Sequence, residues 1–177
     1  MEKKALVFGG TGAMGVYLVP KLAERGYKVD VVSLDDIISN DERVRYIKAN
    51  AKDLTQASKL LENNYDVFVD FMVYTTPEFL ERYRLYLENV KRYCYLSTYR
   101  IYDNYAPITE GSPRLADTQF DPIYVNSQDY SFYKARQEDI LRNSEYKNWI
   151  IFRPAITYSQ RRFQLVTLEA EILIWRM

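Results

Sequence analysis

Histidine is absent from the 177-residue sequence, which removes histidine general bases, Ser–His and Cys–His pairs, and every histidine metal ligand. Cysteine occurs once, at Cys94, so an internal disulfide and a cysteine-based zinc site are excluded. Net charge is missing too, because 24 Lys plus Arg balance 24 Asp plus Glu. That balance argues against a surface built to hold nucleic acid or an anionic membrane. Long apolar runs are also lacking. Only Ala5-Leu-Val-Phe8 precedes the first glycine, too short for a secretory signal, and no segment approaches the ~20 apolar residues of a membrane helix. The expectation is a cytoplasmic protein without a metal site, and the 47% of apolar residues suffice for one globular domain.

Glycine is scarce as well, and its placement is informative. Four of the six glycines (Gly9, Gly10, Gly12, Gly15) fall within seven residues. Around them, short apolar runs alternate with helix-length amphipathic segments. Strands are predicted at Ala5 to Phe8, Lys28 to Ser33, Val44 to Ile47, Asp66 to Val73, Tyr93 to Ser97 and Trp149 to Phe152. Helices are predicted from Leu18 to Arg25 with a bend at Pro20, from Leu54 to Glu62, from Thr76 to Val90 with Thr76 as cap, and from Asp129 to Arg142. This alternation predicts an α/β, Rossmann-type doubly wound parallel sheet with helices on both faces. A long polar stretch from Tyr102 to Gln128 holds three of the six prolines and reads as a functional or mobile loop.

Gly9-Gly-Thr-Gly-Ala-Met-Gly15 follows a predicted strand and opens a predicted helix, the context that makes a glycine pattern a dinucleotide-binding site. Glycine permits the tight turn and lets Thr11, Ala13 and Met14 bring backbone amides to a pyrophosphate, at a helix N-terminus with unpaired N–H groups. Gly10, Gly12 and Gly15 satisfy one glycine spacing, and Gly9, Gly12 and Gly15 another. The ribose-binding position after the second strand is Ser33, followed by Leu34-Asp35-Asp36. Serine tolerates a 2′-phosphate, while Asp35 or Asp36 would serve ribose hydroxyls, so NAD and NADP both stay open. So does the plain reading of both aspartates as solvated loop residues.

Tyr130 and Lys134 are four residues apart on one predicted helix, hence on one face. A nearby ammonium favours the phenolate of tyrosine, whose phenol otherwise titrates near ~10. Such a pair can exchange a proton with a substrate hydroxyl. With 17 tyrosines the spacing also arises by chance, as at Tyr17 and Lys21.

Taken in order, these segments resemble the extended short-chain dehydrogenase/reductase superfamily, in its NAD-dependent epimerase/dehydratase branch. Gly9, Gly12 and Gly15 match its glycine loop. Asp53-Leu54 resembles the pair that borders the adenine. Tyr95-Leu-Ser-Thr-Tyr-Arg-Ile-Tyr102 resembles the strand ending in Ser-Ser/Thr and then Val-Tyr-Gly, which places the catalytic hydroxyl at Thr98. Pro107-Ile-Thr-Glu110 resembles the acidic segment before the catalytic helix. Tyr130 and Lys134 match the Tyr-x-x-x-Lys pair, and Arg153-Pro154-Ala-Ile-Thr-Tyr158 the run that lines the nicotinamide side.

The resemblance implies an NAD or NADP cofactor, Tyr130 as acid/base, Lys134 lowering its pKa and holding the nicotinamide ribose, and Thr98 bonding the substrate oxygen. It implies a sugar-type small-molecule substrate and allows a homodimer, with Tyr83 and Tyr86 beside the catalytic helix as interface or core. Tyr99-Arg100 stands where nucleotide-sugar dehydratases of the family carry Asp-Glu, so an epimerase or reductase is favoured over a dehydratase. Arg100 reads as a surface residue or a phosphate contact. Residues 1–158 read as the dinucleotide-binding domain. Residues 159–177, with an apolar helix from Leu168 to Trp175, read as a remnant of or substitute for the family's substrate-binding region. The alternative is a catalytically weak or inactive dinucleotide-binding module, a sensor or a subunit. RNA binding, known among atypical relatives, is disfavoured by the charge balance.

Overall fold

A computed structural model describes residues 2–103, 107–127 and 129–155. Six strands run in parallel: β1 (Lys3–Phe8), β2 (Tyr27–Ser33), β3 (Val44–Lys48), β4 (Val67–Asp70), β5 (Tyr93–Leu96) and β6 (Trp149–Phe152). Their order across the sheet is β3-β2-β1-β4-β5-β6. The chain therefore starts in the middle, builds one half outward, then returns to build the other. A crevice forms where the order reverses, between β1 and β4, at the carboxyl ends of the strands.

Both faces of β1 are covered, which is why it reads as an unbroken apolar run. Ala5 and Val7 pack with Val29, Val31 and helix α1 (Gly15–Glu24) on one face. Leu6 and Phe8 face the other, where Phe68, Tyr86, Tyr93 and Tyr95 meet α2 (Leu54–Leu61), α3 (Thr76–Asn89) and the C-terminal part of α6 (Tyr130–Asn143). Aromatic rings dominate this second core. Phe8, Phe68 and Tyr86 meet edge to face with centroids 4.7–6.2 Å apart, the arrangement their quadrupoles favour.

Several element bounds differ from the sequence expectation. Helix α1 starts three residues earlier, at Gly15, and carries Pro20 inside it on its exposed side. Strand β4 ends at Asp70 rather than Val73, because the Asp70 carboxylate accepts the Met72 N–H (3.0 Å) and turns the chain. The cap of α3 is Thr75 rather than Thr76. Its hydroxyl accepts the Glu78 N–H while the Glu78 carboxylate accepts the Thr75 N–H, a reciprocal pair that satisfies two end donors. The stretch after Tyr102 holds two short helices, α4 (Leu115–Thr118) and α5 (Pro122–Val125). Arg114 ties this stretch to α6 through Asp139 (2.7 Å). Tyr158 and the expected helix from Leu168 to Trp175 lie outside the described residues.

Candidate functional site

The glycine loop leaves the carboxyl end of β1 and enters α1. Gly9 sits at φ +68°, a backbone conformation that favours glycine, and its N–H bonds the Val32 carbonyl of β2 (2.9 Å). The remaining glycines divide by what a side chain would meet. A Cβ on Gly10 would press on Val31 and Val7 at 2.7 and 2.9 Å, and one on Gly15 would overlap the Gly10 backbone. These two let the helix close on the sheet. Gly12 is different: a Cβ there would meet only the Gly9 carbonyl, at 3.2 Å. There the neighbour would have to give by only a few tenths of an ångström, a milder demand than at Gly10 and Gly15. The N–H groups of Ala13 and Met14 find no acceptor among the described residues. A bare backbone facing unpaired donors at a helix N-terminus fits a dinucleotide pyrophosphate.

The residues expected at the ribose lie beside this loop. Ser33 closes β2, and its hydroxyl is 2.8 Å from that of buried Thr11 and accepts the Asp35 N–H (3.0 Å). Asp35 is exposed in the following loop. Asp36 is turned to Lys48 at the end of β3 (2.9 Å), with both side chains well exposed. Farther along the same edge, Asp53 caps α2 by accepting the Thr55 and Gln56 N–H groups, and Leu54 opens that helix half-buried. One oxygen of Asp53 thus has a structural task.

The second cluster is built on β5 and α6. Thr98, 6% exposed, follows β5, and its hydroxyl favours the ionised phenol of Tyr130, the first residue of α6. The fold sets the start of α6 with Asp129, whose carboxylate accepts the Ser131 N–H (2.9 Å). One turn on, the Lys134 ammonium donates to the Leu96 carbonyl (2.6 Å), 4.6 Å from the Tyr95 ring centroid and 6.0 Å from that of Tyr130. Burial pulls Lys134 down to about 8, with the charges of Asp70 and Glu138 opposing the fall. Burial also pushes the Tyr130 phenol above its ordinary value, while the Arg100 guanidinium and the Thr98 hydroxyl pull it back.

Three buried groups around this cluster escaped sequence reasoning. Asp70, 1% exposed, accepts the phenols of Tyr93 (2.9 Å) and Tyr74 (3.3 Å), and burial raises it to about 6. A lone aspartate in the apolar run Val67 to Val73 was the available signal. Gln137 joins the Tyr95 phenol (2.6 Å) to the Tyr74 carbonyl (2.7 Å). Glu138, fully buried, takes the Arg153 guanidinium in a two-point bond (2.9 and 2.6 Å), and Arg153 also donates to the Tyr102 phenol. Arg153 therefore locks β6 to α6, while the next residue, Pro154, offers its carbonyl to the Tyr99 N–H (3.1 Å). Ser97, beside Thr98, is 1% exposed and its hydroxyl lacks a partner among the described residues. An unsatisfied buried hydroxyl costs about 1–3 kcal/mol, so a bound ligand that completed it would gain by doing so.

Every strand end named so far lies on one edge of the parallel sheet, with the glycine loop at the reversal point. This is a dinucleotide-binding α/β fold. A family model described as NAD(P)H-binding matches residues 9–171, and the chain belongs to that family. Its cofactor is accordingly NAD or NADP. No curated protein matches the sequence.

Solved structures share the fold at low identity. The Bordetella bronchiseptica enzyme WbmH, in complex with NAD+, is 20% identical with a TM-score of 0.70, covering 92% of this chain and 58% of that one. The UDP-Glc/GlcNAc 4-epimerase of Campylobacter jejuni is 17% identical with a TM-score of 0.66, covering 96% and 60%. The epimerase Mth375 of Methanothermobacter thermautotrophicus is 17% identical with a TM-score of 0.68, covering 85% and 51%. The chain thus spans between half and three-fifths of the length of these enzymes.

Proposed function

We propose that the chain is the cofactor-binding part of an NAD(P)-dependent epimerase or reductase that acts on a hydroxyl or carbonyl of a nucleotide-sugar-type substrate. The observation that carries the reading is Tyr130 at the start of α6 with buried Lys134 one turn on, 6.0 Å from its ring, and Thr98 at the end of β5, all at the carboxyl ends of the strands where the glycine loop lies. The bound nicotinamide supplies the redox chemistry at the substrate carbon. The protein supplies position and proton traffic. Thr98 holds the substrate oxygen, and Tyr130 takes or returns the proton at that oxygen. Lys134 turns from the Leu96 carbonyl to the nicotinamide ribose and keeps a positive charge below the tyrosine. Gly9, Thr11, Gly12, Ala13, Met14 and Gly15 cradle the pyrophosphate. Ser33 and Asp35 meet the adenosine ribose, Asp53 and Leu54 border the adenine, and the Pro154 backbone lines the nicotinamide side.

The sugar-type substrate draws support from the Campylobacter 4-epimerase, whose name gives UDP-linked sugars. Tyr99-Arg100 brings neither acid nor base for water elimination next to Thr98, which favours epimerisation or reduction. Of the two tyrosines considered for a homodimer, Tyr86 is core, whereas half-buried Tyr83 lines a shallow groove between α3 and α6 with exposed Leu80. That groove is the face proposed for pairing. A cytoplasmic location is part of the same proposal; among the described residues no helix is long and apolar enough to cross a membrane.

One observation favours a second reading. The family model that matches is described by cofactor binding alone, so a dinucleotide-binding module without turnover is the alternative. Calorimetry with NAD(H) and NADP(H), paired with a turnover assay over nucleotide sugars, separates the two. Under the enzyme reading, Tyr130→Phe lowers turnover by about 100-fold or more and leaves cofactor affinity nearly intact. Tight cofactor binding with no turnover on any nucleotide sugar would favour the module.

A further inference from the structure

The Tyr–Lys pair has a second cation beside it. Thr98 ends β5, and the chain then makes one tight 3-10 turn, Tyr99–Ile101. Three contacts hold the turn. Its first N–H bonds the Pro154 carbonyl (3.1 Å), the Thr98 hydroxyl accepts the Arg100 N–H (3.2 Å), and Ile101 is fully buried against Ala135 of α6. Arg100 is thereby fixed between two anchored residues. Its guanidinium lies 6.0 Å from the centroid of the Tyr130 ring and forms no ion pair among the described residues.

Lys134 is placed differently. Its ammonium lies at the same 6.0 Å from the Tyr130 ring, yet it is 1% exposed, bonded to the Leu96 carbonyl, and closer to the Tyr95 ring. We propose that Arg100 is a positioning residue for Tyr130, supplying the permanent positive charge that steadies the phenolate before cofactor arrives. Burial brings Lys134 down to about 8, so above that pH the ligand-free protein carries an uncharged amine there, whereas a guanidinium keeps its proton throughout.

The groups that face Tyr130 support this division. Thr98 and Arg100 approach from the turn, and both favour the phenolate. Tyr133 stacks edge-on at 5.4 Å and Lys134 stands one turn away, both on α6, while Tyr95 approaches from β5. Among them Arg100 alone is a cation that cannot titrate in the working range. Because it follows Thr98 by two residues, the hydroxyl and this charge are carried on one turn.

The inference rests on Tyr130 as acid/base, and its test needs neither substrate nor cofactor. Protein labelled with carbon-13 at the tyrosine Cζ is titrated by NMR from about pH 8 to 12, with Tyr130→Phe identifying the resonance. Arg100→Gln is expected to raise the Tyr130 midpoint by about half a unit or more, and Arg100→Lys to restore part of it. Lys134→Met is expected to shift it less than Arg100→Gln. The proposal is overturned if Arg100→Gln leaves the midpoint where it was, if Lys134→Met moves it more, or if Tyr130 in the unaltered protein does not titrate below pH 12. Calorimetry with NAD(H) on the same samples reports the cofactor site separately, so failure here and failure of the functional reading remain distinguishable.

Discussion

The glycine loop and the α6 cluster face one crevice, yet they are built from opposite materials. The loop works through backbone and empty space. Gly10 and Gly15 admit the close packing of helix on strand, and a side chain at Gly12 would meet, among the described residues, only the Gly9 carbonyl. The cluster works through buried polar side chains, Asp70, Thr98, Lys134, Gln137 and Glu138, with partly buried Arg153 bonded to Glu138. A site made of backbone is insensitive to pH and sensitive to any added atom. A site made of buried ionisable groups tolerates added volume at its rim and responds to pH.

Breaking the Arg153–Glu138 pair should have the largest effect. Arg153→Met removes the two-point partner of a fully buried carboxylate, leaving it only Arg142 at 3.8 Å, and is expected to cost about 3–5 kcal/mol in urea unfolding. A loss below 1 kcal/mol would mean the pair is replaceable, and the contrast between the regions would blur. Next come two glycines from the loop. Gly15→Ala overlaps the Gly10 backbone and should cost about 2–3 kcal/mol of stability. Gly12→Val should leave stability within about 1 kcal/mol yet weaken NAD(H) binding by about 100-fold or more in calorimetry. Equal losses of stability at both positions would refute the division between packing glycines and a ligand glycine.

The pH response sharpens the comparison from the other side. Lys134 falls from its ordinary 10.5 to about 8 in the folded state. Between those values the unfolded chain binds the additional proton, so stability should rise with pH through this window, by about 2–3 kcal/mol. Asp70 runs the other way. It rises from 3.8 to about 6, so the folded state holds the additional proton and stability should fall as pH climbs through that range. Lys134→Met should flatten the alkaline slope, and Asp70→Asn the acid one, in denaturation curves taken at several pH values. Gly12→Val should change neither slope. Smallest is the cap: Asp53→Ala should cost about 1 kcal/mol of stability. A matching drop in NADH affinity, read by calorimetry, would add the adenine contact to its capping task.

The two regions also differed in how far residues alone could reveal them. The glycine loop was legible because its logic is local: strand, bare turn and helix follow within a dozen residues. The Tyr130 and Lys134 spacing was legible for the same reason, since four residues on a helix share a face. The end of β4 was not, because Asp70 turns the chain through a bond to Met72 that side-chain alternation does not encode. The cap of α3 fell one residue away, on Thr75, because adjacent threonines offer equal chemistry and only the reciprocal bond with Glu78 decides between them.

By itself, then, the sequence determined the alternation of strands and helices, the place of the dinucleotide loop and the spacing of the Tyr–Lys pair. All of these rest on neighbours along the chain. Only the tertiary structure decided which glycines close packing demands, that Arg153 serves Glu138, that Asp70 and Lys134 share a buried field, and that Arg100 stands beside Tyr130. Those facts join residues from different strands and helices. Sequence spacing carries no distance between them, and burial sets their charges only once the sheet has brought them together.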